Sequence, residues 1–112
     1  MNKYHPHLTQ VKWDKFSKAQ QILSVGAELG RAKSMIMKND FVETSNCYFR
    51  AIELIDLIIK NITWKKNLKE VFRFREMLGY GALFKQNSLN FCLSMYQVLL
   101  SWDKETIKVK YR

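Results

Sequence analysis

The feature that most constrains the fold of this chain is a contrast in charge between two neighbouring segments of its C-terminal half. Residues 64–75 contain five cations and a single acid, Glu70, whereas residues 86–102 contain no charged residue. The second segment has apolar side chains around most of a helical circumference, so it requires burial against other elements. The first requires a solvated or anionic surrounding. A helical domain with a buried C-terminal helix satisfies both requirements.

Composition points to the same class of fold. The chain has 112 residues, of which 47% are apolar and 13% aromatic, enough for one core without disulfides or a metal. One proline and four glycines provide too few turn residues for a protein of many strands. We therefore predict an all-α fold, a single-domain antiparallel four-helix bundle over residues 13–102. A flexible N-terminal arm (1–12) and a basic C-terminal tail (103–112) are expected to flank it.

Capping residues and breaks in the apolar periodicity divide the bundle into four helices. The third helix is expected to continue through Gly79-Tyr80-Gly81 to about residue 85. Gly26 and Gly30 share one face of the first helix, which predicts close approach of a neighbouring helix, with local flexibility as the alternative. The predicted N-caps are, in chain order, Asp14, Asp40, Thr63, and Asn87 or Ser88.

A row of cations on the third helix is the candidate binding site. Lys65, Lys69 and Arg73 are spaced four residues apart and share one helix face, with Lys66 beside them. Phe74 flanks the row, and we expect it to be exposed and able to stack on a base. A net charge of +9 favours polyanionic partners. The row predicts nucleic-acid binding, with RNA favoured, and the alternative is a solvated basic face.

Arg75 has a different predicted role, because its position on the helical wheel falls among inward-facing residues. A buried guanidinium requires a carboxylate partner. Glu28, Glu53 and Asp56 are the available acids, and Arg50 could join them. We interpret these five residues as a structural ion network that sets helix register, with acid–base catalysis as the alternative.

The uncharged fourth helix exposes more apolar surface than one small bundle requires. We predict that Phe91, Leu93, Val98 and Trp102 belong to an interface with a protein partner or a second copy in a homo-oligomer. Burial within the chain's own core is the alternative. Under the interface interpretation the protein is an oligomeric or chaperone-like scaffold.

Catalytic and metal-binding motifs are absent from the sequence. His5 and His7 flank a proline in the predicted arm and are interpreted as bystanders, and no histidine follows them. Cys47 and Cys92 lie on apolar helix faces, as reduced core residues of a cytosolic protein do. No apolar stretch approaches bilayer-spanning length. We predict a non-enzymatic cytoplasmic protein with no cofactor, metal or membrane partner.

Three segments carry a resemblance to known proteins. They are residues 28–33 (ELGRAK), 48–57 (YFRAIELIDL) and 73–78 (RFREML). These segments resemble a group of small bacterial helical-bundle proteins, which implies a fold over about residues 13–102 and no particular activity. The hairpin that turns at Asp40 distantly resembles HEPN-type bundles, whose RNase members carry an arginine followed shortly by a histidine. No histidine follows any arginine here, so the resemblance does not imply RNase activity.

Overall fold

Five of the six helical elements among residues 3–103 begin after a residue whose side chain caps a free backbone N–H group. The computed structural model describes residues 3–103, and every regular element among them is helical. Of the predicted basic tail, all residues after Asp103 lie outside the described part. The elements are α1 (Gln10–Asp14), α2 (Lys18–Met37), α3 (Phe41–Ile59), a 3-10 helix (Ile62–Asn67), α4 (Leu68–Phe84) and α5 (Leu89–Leu100).

Two of the four predicted N-caps are confirmed, and those at Asp14 and Thr63 are wrong. The side chains of Asp40 and Ser88 each accept a hydrogen bond, at 3.1 Å, from the backbone N–H three residues on. Asp14 does not cap α2, because it is the last residue of α1. Ser17 caps α2 instead, and it forms a reciprocal capping box with Gln20.

The long helices that follow one another in the chain run antiparallel. The beginning of α3 contacts the end of α4, where Ser45 Oγ donates to the Ala82 carbonyl at 2.6 Å. The end of α3 contacts the beginning of α4 through the ion pair of Asp56 with Arg75. In space, α2 lies between α3 and α5, and α3 lies between α2 and α4. The predicted all-α antiparallel bundle is confirmed.

Contact between α2 and α5 depends on one of the two glycines predicted to allow it. A methyl group at Gly26 would lie 3.0 Å from Tyr96 Cε1, closer than an ordinary van der Waals contact, so glycine favours the close approach of α5 there. One turn further along α2, Cys92 Sγ donates to the Leu29 carbonyl at 3.4 Å. The prediction is wrong for Gly30, where no atom lies within 4 Å of an added methyl group.

The end of α4 contains a second glycine that determines packing. As predicted, α4 continues through Gly79 and Gly81 and ends at Phe84. A methyl group at Gly81 would overlap the ring of Phe91 on α5, whereas one at Gly79 would meet no atom within 4 Å. The ring of Phe91 is therefore seated directly on the α4 backbone.

The core combines side chains from all six helical elements. Trp13, Tyr48 and Trp64 are fully buried and are its largest members. Cys47 and Cys92 are buried as unpaired thiols, as the sequence predicts. None of the helices within residues 3–103 combines the length and apolar character needed to cross a membrane.

Candidate functional site

The predicted basic row spans two kinds of helix. Lys65 and Lys66 lie on the 3-10 helix, and Lys69 and Arg73 lie on α4. A 3-10 helix has 3.0 residues per turn and an α-helix 3.6, so a single α-helical row includes only the last two. All four side chains are exposed. They therefore form a patch at the junction of the two helices, not a straight line.

A different residue from the predicted one starts this junction. The side-chain oxygen of Asn61 accepts from the backbone N–H of Thr63 at 2.9 Å, so Asn61 is the cap and the prediction of Thr63 is wrong. The Asn61 amide also donates to Asp14 at 2.7 Å. Asn61 therefore connects the end of α3 to α1 and sets where the 3-10 helix begins.

A buried tryptophan holds the 3-10 helix in place. The indole Nε1 of Trp64 donates to Gln21 Oε1 on α2 at 2.6 Å, and Gln21 Nε2 donates to the Trp13 carbonyl at 3.0 Å. The Trp64 ring also contacts Trp102 edge to face, with centroids 5.6 Å apart. Because Trp64 is fully buried, the backbone that carries Lys65 is fixed to the core.

Cations from other helices join this patch, and sequence reasoning missed them. Lys18 Nζ, at the start of α2, donates to Asn67 Oδ1 at 3.0 Å and lies 4.5 Å from the centre of the Trp64 ring. Lys15 precedes α2 and Lys60 caps α3, both at this end of the bundle. The antiparallel order of the helices could have indicated them, because it places the beginnings of α2 and α4 and the end of α3 at the same end of the bundle. We call the whole set the basic end: Lys15, Lys18, Lys60, Lys65, Lys66, Lys69 and Arg73.

Phe74 does not belong to the exposed surface. Its side chain is 3% exposed, and its ring lies 4.9 Å from that of Trp102, whereas Phe72 is 47% exposed. The wheel used for the prediction assumed one α-helix starting near Trp64. The preceding 3-10 helix turns by a different angle per residue, so the helical wheel is rotated relative to the prediction. The buried face of α4 is centred on Val71, Phe74 and Leu78. The predicted stacking role of Phe74 is therefore wrong.

The same rotation corrects Arg75. Its predicted partner Asp56 is found, with Arg75 Nε 2.5 Å from Asp56 Oδ1, but the pair lies on the outside of α3 and α4. The two side chains are 43% and 42% exposed. An ion pair in water contributes little stability. This pair therefore does not set the register of the helices from inside the core, as the prediction expected.

The remaining members of the predicted ion network separate into two groups. Arg50 NH2 pairs with Glu43 Oε1 at 2.7 Å, two turns back on α3. Glu28 pairs with Arg31 NH1 at 2.6 Å. Glu53 binds the N-terminal segment, where His5 also contacts Glu28, so Glu28 and Glu53 form one group and Arg50 with Glu43 the other. One connected network is therefore not formed.

His5 is the residue that sequence reasoning most clearly missed. The backbone N–H groups of Lys3, Tyr4 and His5 donate to the Glu53 carboxylate at 2.8–2.9 Å. The His5 ring lies between two acids, with Nδ1 3.0 Å from Glu53 Oε1 and Nε2 3.2 Å from Glu28 Oε2. No local signal connects His5 with an acid 48 residues away in the chain.

The hydrogen bonds at Glu53 determine its ionisation. Burial alone would raise the pKa of Glu53, but the hydrogen bonds from the Tyr4 backbone and from the His5 ring and backbone outweigh it. The pKa of Glu53 is therefore below its usual value of 4.5. An ionised Glu53 holds the beginning of the described chain against α3.

The predicted interface residues of α5 face two different sides. Phe91, Val98 and Trp102 line a groove of about 750 Å³ between α4 and α5. Leu93 lines a separate groove of about 630 Å³ between α2 and α5. Leu93 and Val98 are 37% and 48% exposed, whereas Phe91 and Trp102 are half-buried. The four residues do not form one continuous face.

Potential metal ligands are not clustered in the part of the chain that the structure describes. No group of three or more His, Cys, Asp or Glu side chains there could hold a metal ion. Burial raises the pKa of both Cys47 and Cys92, which disfavours the reactive thiolate.

No family model, no curated protein and no solved structure has significant similarity to this chain. The resemblance to small bacterial bundles and to HEPN-type bundles stays a prediction.

Proposed function

We propose that this protein is a non-enzymatic nucleic-acid-binding protein whose basic end holds a phosphate backbone, with RNA as the favoured ligand. The observation that carries the proposal is the convergence of cations from separate helices at one end of the bundle. Lys18 at the start of α2 meets Asn67 at the start of α4, beside Lys65 and Lys66. Such a patch can contact several phosphates without rearrangement.

Rigidity of the basic end supports the proposal further. Trp64 is buried between Gln21 and Trp102, so the 3-10 helix presents its lysines from a fixed backbone. Binding then orders only the flexible lysine side chains, which lowers its entropic cost. Each phosphate that the protein neutralises releases counterions, so affinity should fall steeply with salt.

The proposal is tested by fluorescence anisotropy with labelled RNA and DNA oligomers at low and rising salt. The double variant Lys65→Glu/Lys66→Glu should weaken binding by about tenfold or more and flatten the salt dependence. Lys33→Glu/Lys38→Glu is the matched control, because both lysines are exposed but Lys33 lies in the C-terminal half of α2 and Lys38 caps its C-terminus. It changes the net charge equally and should weaken binding by less than about threefold.

Two results would contradict the proposal. One is the absence of association at micromolar protein and low salt. The other is an equal loss of affinity in both double variants, because that would indicate attraction by net charge alone and not contact at the basic end.

An oligomeric or protein-interaction function is the second candidate. The exposure of Leu93 and Val98 on an uncharged helix favours it. In this case light scattering should give a mass above the 13.4 kDa of one chain, and Leu93→Gln or Val98→Gln should return the protein to a monomer. A strict monomer at all concentrations would contradict self-association.

A further inference from the structure

The groove between α4 and α5 is an opening in the side of the bundle. α4 packs mainly on α3 and α5 mainly on α2, and the two helices make little contact with each other. They meet where Phe74 contacts Trp102 and where Phe91 lies on Gly81. Between these points the groove has a volume of about 750 Å³. Its apolar lining consists of Phe74, Met77, Phe91, Met95, Val98 and Trp102.

The groove is continuous with the basic end. Arg73 belongs to both, because it lines the groove and lies one helical turn after Lys69. Asn67 and Glu70 line the same α4 rim, while Ser94 and Ser101 line the α5 rim. A flat apolar ligand with polar edges and an attached anion would therefore find an apolar floor, hydrogen-bonding rims and an adjacent cation.

We propose that the α4–α5 groove receives an unstacked base of a single-stranded nucleic acid whose phosphates lie on the basic end. This inference rests on the proposed function and specifies its substrate. A nucleobase is flat and apolar on its faces and polar at its edges, and its phosphate is a few bonds away, as the arrangement of groove and cations requires. A duplex keeps its bases stacked, so it can use the cations but not the groove.

Trp102 provides a direct signal of base entry. It is half-buried at the end of the groove, whereas Trp13 and Trp64 are fully buried. A base that stacks in the groove should quench Trp102 fluorescence. The other two tryptophans, enclosed in the core, should respond little.

The experiment compares three probes of equal length: a single-stranded RNA, a phosphodiester oligomer without bases, and an RNA duplex. We expect the single strand to bind about tenfold more tightly than the baseless oligomer and to quench tryptophan fluorescence. Val98→Gln, which alters the groove without changing the charge, should remove most of this difference. Leu93→Gln is the matched control on α5, since it faces the α2–α5 groove, and it should leave the difference unchanged.

The outcomes separate this inference from the proposed function. Equal binding of the single strand and the baseless oligomer, both sensitive to Lys65→Glu/Lys66→Glu, would overturn the base site and leave the basic end intact. Failure of all three probes to bind would overturn both. A dimer that Val98→Gln dissociates would assign the groove to a second copy of the chain and overturn the base site. Duplex binding as tight as single-strand binding would also overturn it.

Discussion

At the scale of single residues, the contact of His5 with two acids shows how a short segment is held to a bundle. The Glu53 carboxylate accepts hydrogen bonds from three consecutive backbone N–H groups and from the His5 ring. The two ring nitrogens of His5 lie within hydrogen-bonding distance of Glu53 and Glu28. Attachment of the segment therefore depends on hydrogen bonds to the Glu53 carboxylate and not on apolar packing alone.

Replacement of Glu53 tests this attachment. Glu53→Gln removes a charged acceptor that is largely buried, and we expect a loss of about 2 kcal/mol in the free energy of unfolding near neutral pH. Because the pKa of Glu53 is lowered in the folded protein, its contribution is present above pH 4.5 and is lost as the pH falls through the folded pKa. Urea denaturation of both proteins across this range measures the difference.

Glu76→Gln is the control for this measurement, since Glu76 is exposed on α4. It should change the free energy of unfolding by less than about 0.5 kcal/mol. A loss for Glu53→Gln that stays constant below the folded pKa would show that packing, and not the carboxylate charge, holds the segment.

At the scale of elements, the register of α4 follows from the 3-10 helix that precedes it. Val71, Phe74 and Leu78 form the buried arc, and this places Arg73 and Lys69 on the surface. The register also directs Arg75 outward to Asp56. A continuous α-helix from residue 64 would have rotated a different set of side chains into the core.

Two phenylalanines on α4 test this register. Phe74→Ala should lower the free energy of unfolding by about 3–5 kcal/mol, because it leaves a cavity beside Trp102. Phe72→Ala removes the same atoms from a side chain that is 47% exposed, and we expect a loss of about 1 kcal/mol or less. Urea denaturation measures both, and equal losses would contradict the observed register.

At the scale of the whole molecule, the two ends of the bundle differ in the exposed side chains that they carry. The basic end lies where α2 and α4 begin and α3 ends. The opposite end exposes Met37, Val42, Leu83 and Phe84, each at least 60% accessible. Under the proposed function, this end would point away from a nucleic acid bound at the basic end.

Both cysteines lie in the single core of the bundle, and this shared burial predicts how they react. Cys47 on α3 and Cys92 on α5 are each 1% exposed, and burial raises the pKa of both thiols. We expect a thiol reagent to modify both at least about a hundredfold more slowly in the native protein than in urea. The two rates should rise together with urea, because both helices share one core.

Peptide mass spectrometry at increasing reaction times measures each thiol separately. Modification of Cys92 in native protein while Cys47 stays protected would show that α5 opens independently of the rest of the bundle.

What the sequence by itself determined is the set of local features. Apolar periodicity established four long helices, and Asp40 and Ser88 marked two of their starts, because a cap and a helical face depend on residues within a few positions of each other. The exposure of Lys65, Lys66, Lys69 and Arg73 also followed from local charge.

The tertiary structure alone decided which face of α4 is buried and where the groove between α4 and α5 opens. It also decided the contact of Lys18 with the 3-10 helix and the binding of His5 by two acids. Each of these results from contacts between residues far apart in the chain, such as Trp64 with Gln21 or Phe91 with Gly81. A helical wheel describes one helix at constant pitch, so it contains neither a change of pitch nor the position of a neighbouring helix. The location of the candidate site is therefore a property of packing, while its chemistry is a property of the sequence.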